Sequence, residues 1–360
     1  MKICIITPSL GIGGAGKSAA MQSIMLSNLG YDVSIVPISN HVSYNYNGKL
    51  FNLGQFKDDS KNTFSDKIDR TKILRKYLVK NQFDFIIDNR MRTNSILNEI
   101  AMCKYAYRGF KVIYVVHSFS YIKEVAAQPK LKKWLLNNAY KIVAVNKKLQ
   151  ALVNDIHLNK EVVCIENAVD LNDLKEKGTV RLNINFPYIL FCGRLEEHCK
   201  NLSLLIQAYA KSEIFKTGVK LMLLGDGLDK PFYEKLVKDL SLDDKVVFES
   251  FNENPYVYMK NAICTVLTSF YEGFPMVLIE SLAVGTPVFA IDCLTGPSDI
   301  IDDGVNGILL KSYDEKEVSQ ALRTMVFNTE LVQMFKSQAV PSVQKFDIEH
   351  IAEKWKMLLK

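Results

Sequence analysis

The opening forty residues constrain the fold more than any other part of the chain. Lys2–Thr7 is a short apolar run that ends at Pro8, and a glycine-rich stretch, residues 11–16, follows it. Residues 17–28 carry a helical pattern, and after Gly30 comes a second apolar run, Asp32–Pro37. Strand, glycine turn, helix and strand make a βαβ unit, whose crossover leaves the two strands parallel. The alternation then continues. Residues 83–88, 111–117, 141–146 and 162–166 read as further strands. Residues 65–80 read as a basic amphipathic helix, with Ile68, Ile73, Leu74, Tyr77 and Leu78 near helical spacing. Alternating strands and helices imply a parallel sheet covered on both faces.

A second set of the same kind occupies the other half. Its strands are Tyr188–Cys192, Lys220–Leu224, 246–250, 264–267, 287–291 and Gly307–Leu310, with helices starting near Leu202, Lys230, Asn254, Met276, Gly296 and Asp314. A length of 360 residues suits two domains of about 150–200 residues each. The expected boundaries are 1–175 for the first domain and 185–342 for the second, with 343–360 as a C-terminal segment ending in an amphipathic helix that carries Trp355 on its apolar side. The polar stretch 40–63 reads as a loop-rich insertion, and the charged stretch 170–185 as the inter-domain linker. No apolar run approaches the ~18–20 residues of a membrane span. Seven cysteines without a C-x-x-C pair, mostly in apolar contexts, read as reduced core thiols, which points to the cytoplasm.

The net charge of +6 is unevenly distributed. Residues 101–150 hold ten Lys and Arg against Glu124 alone. Such a stretch is either a solvated face or a surface drawn to anionic lipid or a phosphate-bearing acceptor. Nucleic acid is not expected, because no binding motif accompanies the charge.

The chemistry concentrates in Tyr271-Glu-Gly-Phe-Pro-Met-Val-Leu-Ile-Glu280. A loop that delivers backbone N–H groups to a helix start seats an anion, and Glu272 and Glu280 add acceptors for hydroxyls on either side. An anion together with hydroxyls describes a nucleotide sugar. Gly193-Arg194-Leu195 and Lys200-Asn201 follow the first strand of the second half, where a forked cation and a point charge suit a diphosphate. His117 ends an apolar strand. Asn89 and Arg90 sit at the carboxyl end of another, where open α/β sheets keep their sites, and they are candidates for meeting the acceptor or for a structural turn. One competing motif is explicit. Residues 11–18, Gly-Ile-Gly-Gly-Ala-Gly-Lys-Ser, satisfy the P-loop pattern, and Asp88 could end a Walker B strand, so an ATP-dependent kinase or NTPase is an alternative. A non-catalytic nucleotide-sugar or membrane-surface binding module is another.

These motifs, in this order, resemble retaining family 4 glycosyltransferases of the bacterial surface-polysaccharide type. Glu272 and Glu280 match their E-x7-E signature, Gly13-Gly14 their N-terminal Gly-Gly turn, Gly193-Arg194-Leu195 with Lys200-Asn201 their Gly-Arg-Leu…Lys-Asn motif, and Asn167-Ala168-Val169-Asp170 their Asn-Gly-Val-Asp. The resemblance implies a GT-B architecture, two Rossmann-like α/β domains facing each other across a cleft, with the last helix returning to the first domain. It implies retaining transfer of a hexose or N-acetylhexosamine from a UDP-sugar to a saccharide or lipid-linked acceptor, without metal or other cofactor. Arg194, Lys200, Glu272 and His117 are the expected catalytic groups. Gly13, Gly14, Lys17, Gly273, Phe274, Pro275, Met276, Val277 and Glu280 are the expected donor contacts. The implied location is cytoplasmic, peripheral to the inner face of the membrane. The chain departs from the family pattern at Gly16, where an acidic residue is common, and at 248–251, which lacks the usual glycine.

Overall fold

The computed structural model describes residues 1–11, 13–58, 60, 63–91, 96–118 and 129–360. Ile12 of the glycine-rich stretch, and Lys123 and Glu124 of the basic one, lie outside the described residues. The chain divides into two units: residues 1–168 together with 348–360, and residues 169–347.

The first unit is a seven-stranded sheet of β1 (Lys2–Thr7), β2 (Asp32–Pro37), β3 (Lys49–Leu50), β4 (Phe85–Asp88), β5 (Lys111–Val116), β6 (Lys141–Ala144) and β7 (Val162–Cys164), in the order β3-β2-β1-β4-β5-β6-β7 and parallel throughout. Order reverses between β1 and β4. At such a switch point the flanking helices go to opposite faces and leave a crevice at the carboxyl ends of the strands. The central strand β1 is buried on both faces, so Ile3, Cys4, Ile5 and Ile6 are all fully enclosed. The helix Ile348–Leu358 belongs to this unit. Its Trp355 is 2% exposed, and Lys354 pairs with Glu166.

The second unit repeats the plan with β8 (Tyr188–Cys192), β9 (Lys220–Leu224), β10 (Val246–Glu249), β11 (Thr265–Leu267), β12 (Val288–Ile291) and β13 (Gly307–Leu310), in the order β10-β9-β8-β11-β12-β13. Its switch point lies between β8 and β11.

Three segments differ from the sequence reading. The polar stretch 40–63 contains β3 and a 3₁₀ turn, Leu53–Phe56, because Asn52 caps that turn by accepting from Gly54 N. The stretch read as a linker contains a helix, Leu171–Gly178, started by Asp170 accepting from Asp173 N at 3.0 Å. The first helix spans Gly13–Asn28 and so begins four residues before Lys17. Among the described residues, no helix is long and apolar enough to cross a membrane.

Candidate active site

In the second unit the carboxyl ends of β8 and β11 hold the pieces of a site. After β8 the chain turns through Gly193 into the short helix Glu197–Lys200, and Asn201 then takes a left-handed conformation (φ 51°) that restarts it as the helix Leu202–Ser212. That kink sets the Lys200 side chain beside the loop that follows β11. Lys200 Nζ lies 2.6 Å from Glu272 Oε1, and both side chains are nearly buried, at 14% and 12% exposure. Ser269 Oγ donates to the same carboxylate oxygen at 2.7 Å, and Thr295 Oγ1 donates to the Glu272 carbonyl. Burial pulls the Lys200 ammonium down, but the Glu272 carboxylate more than offsets it, so the amine is held above its ordinary range. The site therefore keeps a charged lysine at neutral pH.

The loop's path depends on Gly296. It has φ 105°, and a Cβ there would lie 2.6 Å from Pro275 Cδ and 3.0 Å from the Gly273 carbonyl oxygen. Thr295-Gly296 thus presses against Glu272–Pro275, just ahead of the helix Met276–Ala283. Phe274 points inward against Phe346, with ring centroids 5.4 Å apart, and Met276 is buried, so these two shape the loop from inside. Gly273 and Val277 are partly exposed. Glu280 is 4% exposed, one helical turn beyond Met276. Arg194 is different: its side chain is 62% exposed and its Nη1 pairs with Glu196 at 2.8 Å. The loops after β8, β9 and β10 are tied to one another. Leu195 N donates to the Asp226 carbonyl at 3.0 Å and Phe251 N to Asp226 Oδ2 at 2.9 Å. In the glycine-free turn after β10, the Asp226 carboxylate thus fixes the backbone.

The first unit has its own polar cluster at the β1/β4 switch point. Asn89 follows β4, and its N–H donates to the Ile6 carbonyl of β1 at 2.8 Å. Its side-chain amide links Gln22 of the first helix, through Nδ2 to Oε1 at 2.9 Å, with His117 after β5, through Oδ1 to Nε2 at 2.8 Å. Arg90 points elsewhere. Its guanidinium is buried and forks onto Asp88 (3.0 and 2.8 Å) and Glu99 (3.1 and 3.2 Å). Burial lowers the basicity of Arg90, but the two carboxylates raise it further. Gly13 and Gly14 lie exposed at the start of the first helix; Gly13 has φ 76°, as a glycine turn requires.

The P-loop reading fits this geometry poorly. The helix already includes Gly13, so Lys17 stands in its second turn rather than at the mouth of a phosphate-wrapping loop. Ser18 is buried and its hydroxyl donates to Asn167 Oδ1 at 2.7 Å. Gly16 has a packing reason: a Cβ there would lie 2.5 Å from the Ser9 carbonyl oxygen.

Several supporting residues carry no sequence signal of their own. Ser269, Thr295, Gln22, Glu99 and Tyr107 are common residue types that acquire roles only through contacts made across the fold. Gln22 shares the buried side of the first helix with Ser18 and Ser23, so its polarity does not mark it out.

Two parallel α/β sheets, the second with a lysine–glutamate pair shortly before a helix start, are of the class that keeps its ligand sites at the carboxyl ends of the strands. Residues 174–340 match the family "Glycosyl transferases group 1". The chain is 28% identical to N-acetylgalactosamine-N,N'-diacetylbacillosaminyl-diphospho-undecaprenol 4-alpha-N-acetylgalactosaminyltransferase of Campylobacter jejuni, over 98% of this chain and 97% of that one. It is 26% identical to the amylovoran biosynthesis glycosyltransferase AmsD of Erwinia amylovora, over 96% of each. Among solved structures it superposes on Anabaena HepE in complex with UDP-glucose with a TM-score of 0.76, at 19% identity, covering 100% of this chain and 99% of that one. Residues 174–340 are a group 1, or family 4, glycosyltransferase domain, and the two-sheet fold is GT-B-like. The chain is a glycosyltransferase.

Proposed function

We propose that the enzyme transfers a hexose or N-acetylhexosamine from a UDP-sugar, with retention, to a lipid-linked saccharide. The observation that carries the donor assignment is the Lys200–Glu272 pair at 2.6 Å, beside the start of the Met276–Ala283 helix. Transfer leaves negative charge on the departing diphosphate, and a charged lysine plus a helix N-terminus meet that charge without reorganisation. Glu272 keeps Lys200 ionised and ordered, and its second oxygen is suited to a donor-sugar hydroxyl. Glu280 is placed to take the ribose hydroxyls, and the Gly273–Val277 backbone to meet sugar and phosphate. Arg194, exposed on a short tether, swings from Glu196 to the diphosphate. His117 is proposed as a further contact to the donor sugar, and Gly13, Gly14 and Lys17 as contacts to its diphosphate.

Retention is supported by the Campylobacter relative, whose name specifies an alpha-transferase, because UDP-hexose donors are themselves α-linked. The Campylobacter relative acts on an undecaprenol-linked saccharide, and the basic stretch 101–150 suits an anionic membrane face, which favours a lipid-linked acceptor. The domains are proposed to divide the work, 1–175 facing the acceptor and 185–342 the donor. The test is a thermal-shift screen of UDP- and GDP-sugars, then NMR of the product with polyprenyl-diphosphate-linked acceptors. Stabilisation by a UDP-sugar and an α-anomeric product are expected; stabilisation by GDP-sugars alone, or a β-product, would overturn the assignment.

A further inference from the structure

Two donors converge on one oxygen of Glu272. Lys200 Nζ and Ser269 Oγ both reach Oε1, at 2.6 and 2.7 Å, and fill its lone-pair directions. No described residue donates to Oε2, and the side chain keeps 12% of its surface exposed. With one oxygen held from two sides, the plane of the carboxylate is fixed and Oε2 has a single direction. Ser269 is 1% exposed and is itself held by a residue far along the chain. Tyr313, after β13, donates from its phenol to the Ser269 carbonyl at 2.9 Å, and its ring packs on Phe270 with centroids 5.4 Å apart. Burial first, then Cys293 and Asp292, push the Tyr313 phenol up to about 12, so it stays a donor well above neutral pH. The same segment is tied to the backbone around Lys200. Thr268 Oγ1 donates to the Asn201 carbonyl at 3.0 Å, and Phe270 N to the Cys199 carbonyl at 2.9 Å. Residues 268–270 therefore form a bracket between the Lys200 helix and the exit of β13, and Ser269 is the side chain in it that touches the ion pair.

We infer that Ser269, steadied by Tyr313, is a positioning residue for the donor sugar: it fixes the Glu272 carboxylate so that Oε1 stays with Lys200 and Oε2 meets a sugar hydroxyl. The contacts stand by themselves; their consequence for the sugar rests on the proposed reading of Glu272. An ionised carboxylate oxygen only accepts, so Oε2 selects a sugar with a free hydroxyl there over its deoxy or methyl-ether analogue. A binding group is only as precise as the residues that hold it, so loss of the bracket should blur that selection. Lys200 keeps its own contact to Oε1 when the Ser269 hydroxyl is gone, so the cation for the diphosphate remains in place. Removing the hydroxyl therefore separates the two parts of the donor: the sugar is held less well, and UDP is held as before.

The test is a double-mutant cycle on the full chain, with Ser269→Ala, Glu272→Ala and the double variant beside the wild type. Isothermal titration uses UDP, one hexose donor (UDP-glucose) and one N-acetylhexosamine donor (UDP-N-acetylgalactosamine). Ser269→Ala is expected to weaken at least one of the two UDP-sugars about tenfold and to change UDP by less than about twofold. Tyr313→Phe, which keeps the ring and loses the donor, should act in the same direction by about twofold to threefold. Once Glu272 is alanine, Ser269→Ala should have no further effect on the UDP-sugar. A residue that merely supports the fold would weaken UDP and UDP-sugar alike. Equal weakening of both, an effect that persists undiminished without Glu272, or unaltered UDP-sugar affinity in Ser269→Ala would overturn the inference. Thermal unfolding of the same proteins without ligand tests the contacts alone: the two substitutions should be non-additive, and additivity would also overturn it. If the wild type binds none of the three nucleotides while unfolding is non-additive, the donor assignment fails and the hold of Ser269 on Glu272 survives.

Discussion

The two sheets share a strand plan but equip their carboxyl edges in opposite ways. At the β1/β4 edge the charged groups answer one another: Arg90 is enclosed by Asp88 and Glu99, and the remaining polar contacts form a closed relay from Gln22 to His117. At the β8/β11 edge the pairing is partial. Lys200 has Glu272, at 12–14% exposure, and Arg194 stands 62% exposed on Glu196. Equal topology thus supports an edge whose arginine is buried between two carboxylates in one unit and an edge whose cations are less enclosed in the other. The fold supplies the crevice; the side chains decide whether it orients a group or binds one.

The comparison can be broken most forcefully through the final helix. The first unit is completed by residues 348–360, whereas the second is continuous in sequence. Trp355→Ala removes a large side chain from a site that is 2% exposed, and should destabilise the first unit by about 3–5 kcal/mol. Chemical denaturation followed by far-UV circular dichroism would show the first unit unfolding earlier. UDP binding should persist at denaturant concentrations where the first unit is lost.

A smaller but more specific effect is expected from Lys200→Met. Loss of a preorganised cation for the leaving group should lower kcat by roughly a hundredfold to a thousandfold, with the fold intact by circular dichroism. Wild-type turnover in this variant would remove Lys200 from the chemistry. The pair also has a pH signature. The folded pKa of Lys200 lies above its ordinary value of 10.5, so the stability it contributes is fully present below about that pH and is lost as pH rises through the folded value. The stability difference between wild type and Lys200→Met should therefore be level from neutral pH to about 10 and should shrink beyond it. A difference that changes between pH 6 and 9 would contradict this.

Much of this was legible in the sequence. Lys2–Thr7, Asp32–Pro37, Tyr188–Cys192, Lys220–Leu224 and Gly307–Leu310 are read at their observed bounds, because a strand buried on both faces is an uninterrupted apolar run between turn residues. The segments around Glu272, Lys200 and Arg194 were legible because glycine, proline and charge coincide there. Three things were not legible. The Gly13 start of the first helix is hidden because Gly13, Gly14 and Gly16 lower the helix propensity of its first turn. The helix Leu171–Gly178 is short and polar, and rests on its Asp170 cap and on buried Leu171 and Leu174. The enclosure of Arg90 by Glu99 and Tyr107 depends on a π-helical turn that residue spacing does not announce. An arginine after a strand looks the same in sequence whether it faces a ligand or two carboxylates.

The most direct test of the account is isothermal titration of UDP and ATP into the wild type and Glu280→Ala. The account places the nucleotide on the second unit's edge, with Glu280 on its ribose. UDP should bind the wild type and ATP should not. Glu280→Ala should weaken UDP about tenfold to a hundredfold, the equivalent of ~1.5–3 kcal/mol for a hydrogen bond to a charged group. ATP binding, or unaltered UDP affinity in Glu280→Ala, would contradict it.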